Sequence, residues 1–513
     1  MSDTIWDLLA PHPAAAKAIG ASDRDWLTHG ALRELAEATV ARLNALGIGR
    51  GDRVAIVLPN GPEMATAFVA MACGVTTAPL NPAYREEEYD FYITDLGAKA
   101  LVVAADYDGP ALAVAAKHGV RVLRLVTGDD KPAGWFELQA EGEGASEAAA
   151  TGGFAASDEV GLVLHTSGTT SRPKIVPLLQ SNLAASAGHI GTTLQLTPDD
   201  RCMNIMPLFH IHGLIAAVLS SLAAGASIWC SPGFNALQVF SWLQTAKPTW
   251  YTAVPTMHQA ILSRAARNKD AMAQIDLRLI RSSSSSLPPQ VMTALEETFG
   301  CPMIESYGMT EAAHQMASNQ LPPGKRKPGS VGSEAGPLVR LADESEDRLL
   351  ESGGIGEVVI SGPNVTPGYE ANPAANEKSF FELEGRRWFR TGDQGSFDED
   401  GFLRITGRLK EIINRGGEKV SPLEVDEVLM DHPAVAQCVT FAMPHPKLGE
   451  EVAAAVVLRE GESADERAIR DFAAQRLADF KVPRKVLILE EIPKGATGKL
   501  QRIGLAEKLG LAS

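Results

Sequence analysis

Hydrophobic positions in the N-terminal part of the chain switch repeatedly between a helical and a strand period. Leu32–Leu46 has the spacing of an amphipathic helix and stops at Gly47. After a turn at Gly49–Asp52, Val54–Leu58 is a continuous apolar run that predicts a buried strand. Asn60 and Pro62 fit an N-cap and a first-turn proline for a helix reaching Cys73 and halted by Gly74. Val75–Leu80 is strand-like, Glu86–Leu96 helical, Ala100–Ala104 strand-like, and a further helix to His118 precedes the strand-like Val120–Val126. Such a βαβα rhythm with short connections implies parallel strands covered by helices.

Gly142–Ser157, rich in Gly, Ala and Ser, predicts a flexible connection, after which the alternation resumes to about residue 330. Glu357–Ile360 and Phe402–Thr406 suggest strands of a smaller β-rich part. Beyond residue 410 the pattern changes. Ser421-Pro422-Leu423-Glu424 predicts a capped helix to Met430, with strand-like runs at Ala436–Ala442 and Val452–Leu458. Ser463 with Glu466 predicts a second capped helix to Ala478, and Val486–Glu490 a last strand. The expected fold class is therefore α/β. A large N-terminal domain, residues 1–409, has parallel-sheet layers and a small β-rich part; a small mobile α+β domain, residues 410–513, follows.

The longest stretch without formal charge lies between Arg201 and Lys247, but its most apolar part, Leu214–Trp229, is diluted by Ser220, Ser221, Gly225 and Ser227 and lacks flanking Lys/Arg anchors. A buried helix running into a buried strand is expected there rather than a membrane span. The 513 residues carry 47 Lys+Arg against 63 Asp+Glu, a formal charge of -16, which opposes sequence-independent binding to nucleic acid or anionic lipid. Five scattered cysteines (Cys73, Cys202, Cys230, Cys301, Cys438) form no metal or disulfide framework and fit a reducing compartment. Met1–Thr4 opens no secretory leader, so a cytoplasmic location is expected. A monomer or homodimer is the expected state.

Chemistry concentrates first at His165–Lys174. Thr166-Ser167-Gly168-Thr169-Thr170 offers hydroxyl and backbone donors after an apolar strand, and Lys174 adds a mobile cation, as a polyphosphate requires. Pro173 excludes a Walker A loop, and in isolation the segment would pass for a polar surface loop. It is accompanied by Tyr307-Gly308-Met309-Thr310-Glu311, by Thr391-Gly392-Asp393, by Gly407-Arg408-Leu409-Lys410, and by Pro493-Lys494-Gly495-Ala496-Thr497-Gly498-Lys499. In the order and spacing of these motifs the whole chain resembles the adenylate-forming superfamily of acyl-CoA synthetases, luciferases and peptide-synthetase adenylation domains.

That resemblance implies two half-reactions with ATP, Mg²⁺ and coenzyme A. A carboxylate attacks the α-phosphate to give an acyl-adenylate and pyrophosphate, and the CoA thiol then displaces AMP. It further implies that Thr166, Ser167, Gly168, Thr169, Thr170 and Lys174 cradle the outer phosphates, that Thr310 touches the α-phosphate and that Glu311 holds Mg²⁺. Tyr307 would lie against adenine, Asp393 and Arg408 at the ribose, and His210 in the catalytic site. Lys499 would bridge the carboxylate and the α-phosphate. Lys410 would be the hinge, and the loop containing Gly417 and Lys419 would line the pantetheine path. Ser171 and Ile175 depart from the commonest loop pattern without removing a phosphate donor.

For the acid, many fatty-acid-activating members carry Gly-Gly-Ala before Leu-Pro, where this chain has Ser283-Ser284-Ser285 before Leu287-Pro288. A buried unpaired hydroxyl facing methylenes costs roughly 1–3 kcal/mol, so the serines favour a short acid with a polar far end. His314, and the pair His210 and His212, could add donors. The stretches Pro207–Gly213, Trp250–Pro255, Arg281–Ser286, Met309–Met316 and Asn414–Pro422 resemble the oxalyl-CoA synthetase branch, implying Ser284, His314 and His212 as substrate-binding residues. Malonate or a medium-chain fatty acid are the alternatives. A carrier-loading adenylation enzyme, a luciferase-type oxygenase and a nucleotide sensor share the ATP motifs. A nicotinamide dehydrogenase does not fit, since no strand opens into GxGxxG.

Overall fold

The computed structural model describes residues 3–142, 147–166, 173–350, 354–494 and 500–511. Two sheets form the larger part. In the first, five parallel strands run in the order Arg121–Val126, Ala100–Ala104, Arg53–Val57, Thr76–Pro79 and Val160–His165, with antiparallel edges at Glu137–Ala140 and Ile175–Leu179. The second has a parallel centre in the order Met303–Met309, Leu279–Ser282, Trp250–Ala253, Arg201–Asn204, Ser227–Cys230 and Lys17–Gly20. Its edges, His314–Ser318 with Ser333–Glu334 on one side and Leu27–Thr28 on the other, are antiparallel.

Helices packed between the sheets hold the core. Pro62–Ala72 is buried around its circumference and touches Thr76–Pro79 of one sheet and Lys17–Gly20 and Ser227–Cys230 of the other. A helix apolar on all sides has this position as its natural place. Its N-cap is Gly61, not Asn60; the Asn60 amide instead donates to Ser231 O at 3.1 Å and accepts from Leu208 N at 2.9 Å, tying three segments together. The uncharged stretch is likewise internal: a π-helix, His212–Leu219, continues through Ser220–Ala223 to the strand Ser227–Cys230. Among the described residues, no helix is long and apolar enough to cross a membrane.

A smaller antiparallel sheet follows: Leu338–Ala342, Ile355–Ser361, Phe380–Leu383, Arg386–Phe397 and Leu403–Arg408. The C-terminal part is an α+β unit in which Val435–His445 packs against Pro422–Met430 and pairs with Gly449–Leu458. Ser421 caps that helix by accepting from Glu424 N at 3.2 Å. The second helix runs Glu466–Ala474 and is capped by Asp465 rather than Ser463; the backbone stops helical pairing four residues before Ala478 and tightens into a 3₁₀ turn at Asp479–Lys481. Arg502 joins Glu411 and Asp426, at 3.5 and 2.7 Å, so the end of the chain is held to the start of this unit. All five cysteines are buried and free.

Candidate active site

Three elements bring Tyr307, Asp393 and Arg408 together. Asp393 faces Arg408 across the antiparallel pair Arg386–Phe397 and Leu403–Arg408, with Arg408 Nε 3.1 Å from Asp393 Oδ1. From the strand Met303–Met309, the Tyr307 hydroxyl donates to Asp393 Oδ2 at 2.5 Å. Burial, then the Asp393 charge, push the Tyr307 phenol well above its usual range, keeping it a donor. Asp393 in turn raises Arg408. The group is an aromatic face beside one buried carboxylate and one cation, suited to a nucleoside with a diol.

A second group surrounds Glu311, on the 3₁₀ turn Thr310–Ala312 that follows Tyr307. Glu311 is 5 % exposed, and its Oε1 accepts from the Tyr369 hydroxyl at 2.7 Å. The Tyr369 ring carries the Lys174 ammonium 3.6 Å from its centroid, a cation–π contact. Burial lowers the Lys174 pKa, the Lys410 charge adds to this, and Glu311 opposes it. Oε2 of Glu311 has no hydrogen-bond partner among the described residues, so the carboxylate has an oxygen left for a hard cation and fits the magnesium role. Thr166 and Lys174 close the base of the phosphate loop, Thr166 N donating to Lys174 O at 3.0 Å. Ser167, Gly168, Thr169 and Thr170 lie outside the described residues, as does Lys499. Lys494, upstream of it, lines a cavity of about 500 Å³ with Asn60, Phe209 and Met257.

The third group is polar, with two buried histidines and a half-buried serine. The π-helix presents His212, whose Nδ1 is 3.0 Å from Ser284 Oγ and whose Nε2 is 2.6 Å from Thr252 Oγ1. The His314 ring packs edge-on against His212, centroids 4.9 Å apart. Ser284 has φ 76° and His314 φ 107°, left-handed conformations that glycine adopts more readily. Gly308 permits this packing: a Cβ there would lie 2.0 Å from the His314 carbonyl oxygen. His210 is half-buried, its Nδ1 accepting from His212 N at 3.4 Å.

Lys410 is near enough for its charge to act on Lys174, while the hairpin residues Gly417 and Lys419 belong to none of these three groups. Lys410 follows Arg408 in an exposed turn. Gly417 N donates to Asn414 Oδ1 at 3.1 Å, and Lys419 Nζ pairs with Glu344 at 2.9 Å, which also receives Gln394, the neighbour of Asp393. Sequence reasoning missed Tyr369, Thr252 and Arg281. The turn sequence Pro367-Gly368-Tyr369 and a charged residue inside the apolar run Leu279-Ile280-Arg281 were the available signals.

The profile of the AMP-binding enzyme family matches residues 9–370, and that of the AMP-binding enzyme C-terminal domain matches residues 424–499. The chain belongs to the AMP-binding enzyme family. It is 46% identical to "Probable CoA ligase CCL9" of Humulus lupulus, over 96% of this chain and 93% of that one. To the oxalate–CoA ligase of Arabidopsis thaliana it is 44% identical over 98% of each chain. Among solved structures, ATP-bound MatB from Rhodopseudomonas palustris superposes with a TM-score of 0.87 at 30% identity, covering 99% of both chains.

Proposed function

We propose that this enzyme is an ATP-dependent acid–CoA ligase that converts oxalate to oxalyl-CoA. The observation that carries the substrate is the meeting of buried His212 and His314 with half-buried Ser284 in one cluster. Hydroxyl and imidazole groups in such a site suit a carboxylate at the far end of a very short acid, and leaving them against methylenes would be unfavourable. The oxalate–CoA ligase of Arabidopsis, 44% identical, supports the same substrate.

In the first half-reaction an oxygen of one carboxylate bonds to the α-phosphorus of ATP and the bond to pyrophosphate breaks. In the second, the CoA sulfur bonds to the acyl carbon, the thiol proton is lost, and AMP leaves with its oxygen. Lys174 and the loop Ser167–Thr170 hold the outer phosphates, Thr310 and Lys499 the α-phosphate, and His210 the carboxylate side of the reacting centre. Tyr307 covers adenine, while Asp393 and Arg408 hold the ribose. Mg²⁺, bound through Glu311, would neutralise charge on the departing pyrophosphate. Positioning and fixed charge do most of the work, because two anions must meet.

Residues 1–409 form the adenylation domain and 410–513 the mobile lid in this proposal, with Lys410 the hinge and Gly417–Lys419 beside the incoming thiol. Five buried free thiols support a reducing cytoplasmic setting. The test is pyrophosphate release with ATP, Mg²⁺ and CoA, comparing oxalate, malonate, acetate and octanoate at equal concentration. Oxalate should exceed the others by at least about tenfold in kcat/KM. A preference for octanoate would overturn the substrate and leave the ligase chemistry intact.

A further inference from the structure

Behind the His212 cluster lies Arg281, fully buried in the strand Leu279–Ser282. Among the described residues no carboxylate pairs with it. Its contacts are neutral and long: Nη1 to Thr252 Oγ1 at 3.4 Å and to His212 Nε2 at 3.5 Å, and Nη2 to Gln315 Oε1 at 3.4 Å. Nε has no partner there. Burial pulls the guanidinium down to about 9 from its ordinary value, so it stays charged at neutral pH. A buried cation without a counter-ion lowers the stability of the empty protein. Arginine also offers donors only, which gives the surrounding hydrogen bonds a direction.

That direction can be followed atom by atom. Arg281 Nη1 can only donate, to Thr252 Oγ1 at 3.4 Å and to His212 Nε2 at 3.5 Å, so Nε2 carries no proton and receives that of Thr252 Oγ1, 2.6 Å away. Nε2 is then an acceptor, and His212 carries its proton on Nδ1, which donates to Ser284 Oγ at 3.0 Å. Ser284 has its own hydroxyl proton left to donate forward. The groups facing His212 are Arg281 and Thr252 from adjacent strands, His314 from the edge strand, Ser284, and His210 on its own segment. Cys202 lies two strands from Arg281, across Trp250–Ala253, within reach of its charge, and is held neutral by burial. The Arg281 charge opposes a second charge on His212.

We propose that Arg281 is the positioning residue for acid selection: it sets the polarity of the chain Arg281–Thr252–His212–Ser284, so that the chain ends as a hydroxyl donor toward the far carboxylate of a dianionic acid. This rests on the oxalate reading. The dianion supplies a counter-charge for Arg281, with which no carboxylate pairs among the described residues.

The experiment compares Arg281→Met, Arg281→Lys and Thr252→Val in steady-state kinetics, melting, and ¹⁵N NMR of histidine-labelled protein, His212 being assigned by its loss in His212→Asn. In the acid-free wild type His212 should be neutral with the proton on Nδ1. R281M should melt no lower than wild type without acid. Its KM for oxalate should rise at least about tenfold while kcat stays within about threefold. The acetate KM should move less than about threefold in R281M, and R281K, a shorter cation that burial neutralises more readily, should restore oxalate only in part. An unchanged oxalate-to-acetate ratio in folded R281M, or loss of affinity only in step with loss of melting temperature, would overturn the proposal. Should R281M fail to fold, T252V decides: an unaltered oxalate KM overturns it and a raised one upholds it. A wild-type His212 protonated on Nε2 refutes the chain even if oxalate is the substrate. The Nδ1–H form without oxalate turnover refutes the substrate alone.

Discussion

The Tyr369 hydroxyl donates to Oε1 of Glu311 at 2.7 Å while the face of the same ring carries Lys174. One aromatic residue thus separates the only acid of that group from its cation and holds both. In the proposed roles a direct Lys174–Glu311 ion pair would compete with phosphate and metal for the same two charges; the intervening phenol keeps the two apart without removing either.

Replacing Tyr369 by Phe keeps the ring under Lys174 and deletes one hydrogen bond to a carboxylate. Bonds of this kind contribute about 1.5–3 kcal/mol, so kcat/KM for ATP should fall roughly 10- to 100-fold. The loss should be largest at limiting Mg²⁺, since Glu311 would be less well oriented. Pyrophosphate exchange measured across a magnesium series checks this; an effect independent of magnesium would dissociate Tyr369 from the metal role of Glu311.

Lys499→Ala should abolish adenylation while sparing transfer of the acyl group from preformed acyl-AMP to CoA. Single-turnover assays of the two halves separate them, and equal loss in both would remove Lys499 from its assigned role.

Ser284→Ala and His314→Ala should each weaken oxalate by about tenfold or more, with a smaller effect on acetate. The His314 change opens more space and should also admit longer acids. Retention of full oxalate turnover in both variants would show that the acid lies elsewhere.

Glu305 gives a stability prediction. It is 2 % exposed, Oε1 accepts from Leu287 N at 2.9 Å, and Oε2 has no partner among the described residues. Burial pushes its carboxyl up to about 8. Between about pH 4.5 and 8 the folded state therefore holds a proton that the unfolded state has lost, and stability declines as pH rises through that window. Glu305→Gln resembles the protonated acid and lacks that slope. Its melting temperature should match wild type near pH 4.5, exceed it progressively up to pH 8, and hold a constant margin above. A margin already full at pH 5 would mean that Glu305 ionises normally.

Much of the fold could be read from periodicity. Glu86–Leu96 and Ala100–Ala104 have the predicted limits, because the apolar pattern and the capping residues agree there. Capping was misread where two candidates adjoin. Asn60 and Ser463 have the right chemistry but lie before Gly61 and Asp465, which supply the caps, and Asn60 is used in tertiary bonds instead. The motif residues Tyr307, Asp393 and Arg408, and His212, Ser284 and His314, were named from sequence and stand together in space. Tyr369 and Arg281 were not, because their partners are distant in the chain: Tyr369 meets Glu311 across 58 residues and Arg281 meets His212 across 69. A local pattern carries no information about such pairs. Nor did it reveal that His212 opens a π-helix rather than an ordinary one.

Gly308 has an evolutionary consequence. A single methyl group there would press on the carbonyl of His314, which stands across the hairpin. Drift toward another acid could thus begin with one added carbon outside the polar cluster, displacing an imidazole while every lining side chain is preserved. On the proposed substrate, selection of the acid would be written partly in an atom that is missing, and a comparison confined to lining side chains would overlook such a position.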